Sequence, residues 1–149
     1  MLPLTCTLLP SPQRRLLEQL YRQHGSRMRT AGDGQQWVAR ANEIVGGLNL
    51  TPVAEGYWLT GLFVTPQCRG QQVASRLIHA ALMANPAPVW LFCDPLLAAF
   101  YGRLGFSSTQ HLPEALASRL ARYQRSKPLL AMQRGQSSAT SSPGNSTSV

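Results

Sequence analysis

The stretch from Tyr57 to Cys93 constrains the fold more than any other part of this chain. Tyr57, Leu59, Leu62, Phe63 and Val64 give residues 57–65 the character of a strand, and Pro66 ends it. After a polar loop, Gln67 to Gln72, the residues Val73, Leu77, Ile78, Ala81 and Leu82 recur at helical spacing and line one face. Asn85-Pro86 stops that helix, because a residue before proline is pushed out of the helical region. Val89-Trp90-Leu91-Phe92-Cys93 then forms an unbroken apolar run, as expected of a strand buried on both faces in a parallel pairing. Strand, helix and buried strand in that order form an α/β unit.

The rest of the chain extends the pattern. Leu2 to Leu9 reads as a short strand. Ser11-Pro12 reads as the cap and first residue of a helix carrying Leu16, Leu17, Leu20 and Tyr21, with Gly25 as its stop. Gly32-Asp33-Gly34 is turn chemistry. Trp37 to Ala41, a turn at Asn42-Glu43, and Ile44 to Leu50 read as a hairpin. Asp94-Pro95 opens a helix reaching about Leu104, Glu114 to Gln124 forms another, and Leu129 to Met132 a last strand. From Ser137 onward eight of thirteen residues are serine or threonine. The expected organisation is one domain over residues 1–134 and a disordered tail over residues 135–149.

Charge narrows the function classes. The formal net charge is +8, and thirteen of the fourteen basic residues are arginine, with Lys127 the single lysine. Such a chain favours anionic partners: a nucleic acid, an acidic surface or a phosphorylated cofactor. Cys6, Cys68 and Cys93 are three widely spaced cysteines without a CxxC pair, and His24, His79 and His111 stand apart, so neither a metal site nor a disulfide framework is expected. Without a run of about 20 apolar residues or a signal-peptide pattern, no membrane association is expected and the cytoplasm is the expected compartment.

The chemistry concentrates at residues 61–77, where a strand runs through an arginine-bearing loop into a helix N-terminus. The first N–H groups of a helix lack internal partners and sit at the positive end of the dipole, which suits an anion. Arg69 adds charge, Gly70 removes a side chain where a backbone must approach a ligand, and Ser75 offers a hydroxyl. A diphosphate fits this chemistry; a plain βα turn that binds nothing fits the spacing as well.

Val64-x-Pro66-x-x-Arg69-Gly70-x-x-Val73-Ala74-Ser75-x-Leu77 resembles the coenzyme-binding motif of the GNAT superfamily of N-acetyltransferases. A second block, Asp94 followed by Phe100-Tyr101-x-Arg103-x-Gly105-Phe106, resembles the family's later helix. The resemblance implies a GNAT-like α/β fold: a mixed, mostly antiparallel twisted sheet with a V-shaped splay between two central strands, flanked by helices. It implies acetyl-CoA as cosubstrate and direct transfer of the acetyl group to an amine-bearing small molecule or peptide, with no metal and with a homodimer as one state. By the same resemblance Arg69, Gly70, Gln71, Gln72, Val73, Ala74 and Ser75 hold the pyrophosphate. Leu62, Phe63 and Val64 hold the thioester and pantetheine, and Tyr101 donates a proton to the departing thiolate. The chain departs from the family at Gln72, where a central glycine is usual: positive φ there would cost a glutamine about 1 kcal/mol or more. Asp94 and Leu97 also replace the family's usual asparagine and small residue.

A lysine-like amine must shed a proton at a cost of roughly 4–5 kcal/mol at pH 7. No base is legible for that step. Glu43 and Glu55 read as solvated turn residues, and Thr60 offers only a hydroxyl. Cys93 with His111 could form an acyl-cysteine relay, although a cysteine ending an apolar strand behaves as a small hydrophobe. Trp37, Trp58 and Trp90 read as core or groove wall. Two other functions compete: a non-catalytic acetyl-CoA-sensing module that binds a protein partner, and a nucleic-acid-binding protein using Arg14, Arg15, Arg22, Arg119, Arg122, Arg125 and Lys127. The absence of an aromatic-interleaved basic run weighs against the latter.

Overall fold

The structure is a computed structural model and describes residues 3–30 and 33–135. Among these residues seven strands form one mixed sheet in the order β1-β2-β3-β4-β5-β7-β6, accompanied by four α-helices. The strands are β1 (Thr5–Leu9), β2 (Gln35–Arg40), β3 (Ile44–Val53), β4 (Gly56–Val64), β5 (Val89–Cys93), β6 (Ser107–Ser108) and β7 (Leu130–Arg134). The helices are α1 (Arg14–Gln23), α2 (Val73–Ala84), α3 (Ala98–Arg103) and α4 (Glu114–Tyr123). The pairs β1–β2, β2–β3, β5–β7 and β6–β7 are antiparallel. The pair β4–β5 is parallel, with Tyr57 opposite Val89 and Trp58 opposite Trp90. The described residues divide into two compact units: those within 1–51 together with 59–85, and those within 52–58 together with 86–135.

In the first unit, helices cover both faces of the β2–β3 hairpin, and two adjacent glycines record it. A Cβ on Gly46 would meet Val73 of α2 at 3.5 Å, and one on Gly47 would run into Leu17 of α1. Neighbouring strand residues point to opposite faces, so α1 and α2 lie on opposite sides. Leu17, Leu20 and Tyr21 bring the buried stripe of α1 against Leu9 and Val38, with Phe63 packed beside them. α1 ends as its sequence demands: Gly25 takes φ 66°, its N–H reaches the Arg22 carbonyl, and that of Ser26 reaches Tyr21. This is a Schellman cap.

In the second unit, Val89, Trp90, Leu91 and Cys93 are buried in β5 between strand neighbours, and Phe106, Leu116, Ala131 and Met132 complete the apolar set. Asp94 caps the turn after β5, its carboxylate accepting the Leu96 N–H at 2.8 Å. Arg119 of α4 stacks 4.9 Å from the Trp58 ring centre and donates to Tyr123.

Several expectations shift. Strand β1 is described from Thr5. Ser11 is not a cap: Pro10 precedes a 3₁₀ turn over Ser11–Gln13, and α1 follows. Proline at Pro12 suits the tight first turn, but the Ser11 hydroxyl caps nothing. β3 runs past Leu50 to Val53, because Ala54 accepts φ 52° and closes a two-residue connection to β4. β6 was not legible, two serines carrying no strand pattern. Gly32 and the serine-rich tail lie outside the described residues.

Gly47→Ala should drive a methyl group into Leu17 and destabilise the protein by about 1–3 kcal/mol, read as a lower urea midpoint.

Candidate active site

The loop between β4 and α2 is built by two left-handed residues and one arginine. Gly70 has φ 82°, and a Cβ there would meet no atom within 4 Å, so the loop is open on that side. Gln72 has φ 64° and ψ 21° and stands at the N-cap of α2, where its side chain makes no capping bond. A left-handed residue followed by right-handed helix gathers successive N–H groups into a concave anion-binding arrangement. The Val73, Ala74 and Ser75 amides occupy the first turn of α2, where helix geometry supplies no backbone acceptor.

Arg69 braces this loop from behind. Its Nε donates to the Val64 carbonyl at 2.8 Å, and its guanidinium lies 5.4 Å from the Phe63 ring centre. The short turn Pro66–Cys68 between them closes with the Cys68 N–H on the Thr65 carbonyl.

A cavity of about 430 Å³ adjoins the loop, lined by Leu4, Cys68, Gly70, Gln71, Gln72, Val73 and Arg76. Its cationic side chain is that of Arg76, whose Nη2 donates to the Leu4 carbonyl at 2.9 Å. Arg69, Ala74 and Ser75 are not among the lining residues. Arg76 escaped sequence reasoning because it fills an unspecified position of the family motif; its position one helical turn after Gln72 was the available signal.

Leu62, Phe63 and Val64 lie just before this loop, on β4 of the same unit. Gly61 immediately precedes them and takes φ 67°, which a strand does not normally contain. The Tyr21 phenol donates to its carbonyl at 2.6 Å. A lone glycine within a strand pattern signals a bulge, and Gly61 carried that signal.

A second cavity of about 290 Å³ in the same unit is bordered by His24 at the end of α1, Asn42 and Glu43 at the β2–β3 turn, and Thr65 and Gln67 of the loop. Glu43 is exposed there, as a turn residue should be, yet it also faces this space with His24.

Tyr101 belongs to the second unit, on α3, where the Phe100 and Phe106 rings meet it edge-on at 5.0 and 5.9 Å. Burial, reinforced by neighbouring Cys93, pushes its phenol up to about 12, so it stays protonated at neutral pH. The Cys93 thiol is also raised, by burial and then by Asp94, and its Sγ lies 3.7 Å from Met132 Sδ. Such a thiol is a poor nucleophile, and among the described residues nothing joins it to His111, whose backbone is tied to Thr109. Trp37 and Trp90 are buried, and Trp58 lies under Arg119, so none is a free stacking platform. No group of three or more His, Cys, Asp or Glu among the described residues could hold a metal ion. No helix among them is long and apolar enough to cross a membrane.

Two outcomes follow from this geometry. Gln72→Gly should raise stability by about 1 kcal/mol, seen as a higher urea midpoint, because glycine adopts positive φ without strain. For Tyr101 the unfolded phenol ionises near its ordinary 10 and the folded one near about 12, so its stabilisation is complete below pH 10 and is lost as pH rises through that window. Tyr101→Phe should flatten the alkaline fall in urea midpoint.

A family model for the acetyltransferase (GNAT) domain matches residues 32–108. No curated protein sequence matches the chain significantly. Among solved structures, Escherichia coli ElaA superposes with a TM-score of 0.64 at 19% identity, over 90% of this chain and 99% of that one. An acyl-CoA N-acyltransferase from Pseudomonas aeruginosa gives 0.60 at 19%, over 91% and 100%. N-acetylglutamate synthase from Neisseria gonorrhoeae, solved with coenzyme A and N-acetyl-glutamate, gives 0.64 at 14%, over 90% of this chain and 35% of that one. These identities speak for a shared fold, and the family model runs through more than half of the sequence: the chain belongs to the GNAT acetyltransferase family.

Proposed function

We propose that residues 1–134 form an acetyl-CoA-dependent N-acetyltransferase that moves the acetyl group directly from the thioester to an amine. The observation that carries this reading is the open, left-handed loop at the N-terminus of α2 beside a cavity of about 430 Å³. A pyrophosphate fits there. The Val73, Ala74 and Ser75 amides and the helix dipole would receive its charge, and Gly70 and Gln71 would let the backbone approach. Arg76 would add a cation, while Arg69 would hold the loop against Val64 and Phe63. Gln72 keeps the loop's left-handed turn despite its side chain, which argues for a working site over a closed one.

Main-chain amides of Leu62, Phe63 and Val64 would hold the thioester end, where an N–H aimed at the carbonyl oxygen stabilises the negative charge of the tetrahedral intermediate. The amine adds to the carbonyl carbon, the carbon–sulfur bond breaks, and the leaving thiolate takes a proton. Tyr101 suits that last transfer because its phenol is neutral at the working pH. The acceptor's own proton would pass to water or to a group such as Glu43 or His24 beside the second cavity. A carboxylate-bearing amine suits a chain with net charge +8 better than a polycation does, and one of the similar folds was solved with N-acetyl-glutamate. The cytoplasm is the proposed compartment.

Acetyl-CoA at about a hundred times its Kd should stabilise the protein by about 2.7 kcal/mol, a rise of roughly 5–10 °C in Tm. Arg76→Ala should weaken that rise, and Arg69→Ala should abolish most of it. No rise at millimolar acetyl-CoA would remove the enzyme reading. Binding without turnover on a broad amine panel would favour an acetyl-CoA-sensing module instead. With an acceptor in hand, Tyr101→Phe should lower kcat by about 100-fold or more at little change in KM.

A further inference from the structure

Tyr21 is among the most buried groups of the first unit, at 1% exposure, and the chemistry above gives it no task. Its surroundings suggest one. Its phenol donates to the Gly61 carbonyl at 2.6 Å, and its own oxygen accepts from Asn49 Nδ2 at 3.3 Å. Asn49 is fully buried; it also donates to the Arg29 carbonyl and accepts from Gln36 Nε2 at 3.2 Å. Buried amides and hydroxyls without partners are costly, so a chain of this kind has little freedom to rearrange.

The chain grips the residue that breaks the strand. Gly61 is left-handed, and a Cβ there would stand 2.6 Å from Asn49 Nδ2 and 2.8 Å from Tyr21 Oη. The two side chains therefore fill the space that any other residue would need. A trans peptide sets its N–H antiparallel to its C=O, and no cis peptide bond occurs among the described residues. Holding the Gly61 oxygen toward Tyr21 thus turns the Leu62 N–H the opposite way. The Tyr21 ring also meets Phe63 edge-on, with centres 6.2 Å apart, which fixes the next residue but one.

We propose that Tyr21 is a positioning residue for acyl transfer, whose buried hydroxyl locks the left-handed Gly61 and so aims the Leu62 amide at the thioester oxygen. The proposal rests on the acetyltransferase reading. Burial raises the phenol far above its ordinary range, so the donor persists at every working pH.

The test uses Tyr21→Phe, which removes the hydroxyl and keeps the ring. Bound to the wild-type protein, acetyl-CoA labelled with ¹³C at the carbonyl should show its infrared stretch at lower frequency than in water. In Tyr21→Phe that displacement should largely disappear, and the preference for acetyl-CoA over CoA should fall roughly fivefold to tenfold, the worth of one hydrogen bond. CoA itself, held at the pyrophosphate, should bind both proteins alike. Asn49→Ala serves as a comparably damaging core variant that leaves the phenol in place, and it should keep the displacement. A folded Tyr21→Phe protein with the wild-type displacement and preference overturns the proposal. Should that variant not fold, the Leu62 amide proton of the wild-type protein decides: it should move downfield with acetyl-CoA relative to CoA, and an unmoved resonance overturns the proposal. Failure of CoA to bind the wild-type protein would instead remove the acetyltransferase reading itself.

Discussion

The left-handed backbone at Gly61 is the constraint around which the first unit is arranged. A strand that runs straight through that point would offer its neighbours an ordinary ladder. This one turns a carbonyl toward α1, and a phenol meets it there. The cost of the turn falls on a residue with no side chain, and the polar groups that border it, from Tyr21 and Asn49, are satisfied by one another. That explains why two side chains as polar as Gln36 and Asn49 can be buried in a hairpin otherwise made of Val38, Val45, Leu48 and Leu50.

A second local strain sits four residues past the end of the turn that follows β4. Gln72 adopts a conformation that glycine would take freely, and the helix behind it starts without a side-chain cap. Both features leave backbone N–H groups uncommitted at one place. Strain and unfilled hydrogen-bonding capacity that coincide in a loop are typical of ligand sites, since a protein selected for stability alone would have removed them. Arg69 offsets part of the strain by tying the loop back to Val64 and lying over Phe63.

The second unit shows the opposite economy. Its strand β5 is apolar nearly throughout, and Asp94 ends it with a conventional cap. Tyr101 is ringed by Phe100 and Phe106, and burial keeps its phenol neutral. The arginine-rich surface that suggested nucleic acid includes Arg119, which is in fact half-buried over Trp58, so part of the basic charge of α4 serves packing. The indole N–H groups of Trp58 and Trp90 are buried without hydrogen-bond partners, a polar cost that stands against the apolar burial of the two rings.

Apart from β6, periodicity and punctuation in the sequence carried the order of strands and helices, the stop at Gly25, the cap at Asp94 and the place of the βα loop. Each depends on residues within a few positions of one another, where local geometry and propensity act. The strain at Gln72 was legible through the family resemblance, which has a glycine at that position. The meetings of residues distant in sequence arise from the packed fold alone. Tyr21 reaches Gly61 across forty positions, Arg76 reaches Leu4 across seventy-two, and Arg69 turns back to Val64 rather than out to the cavity. A side chain's partner depends on how helices seat on the sheet, and the spacing of letters along one strand or helix carries no record of that.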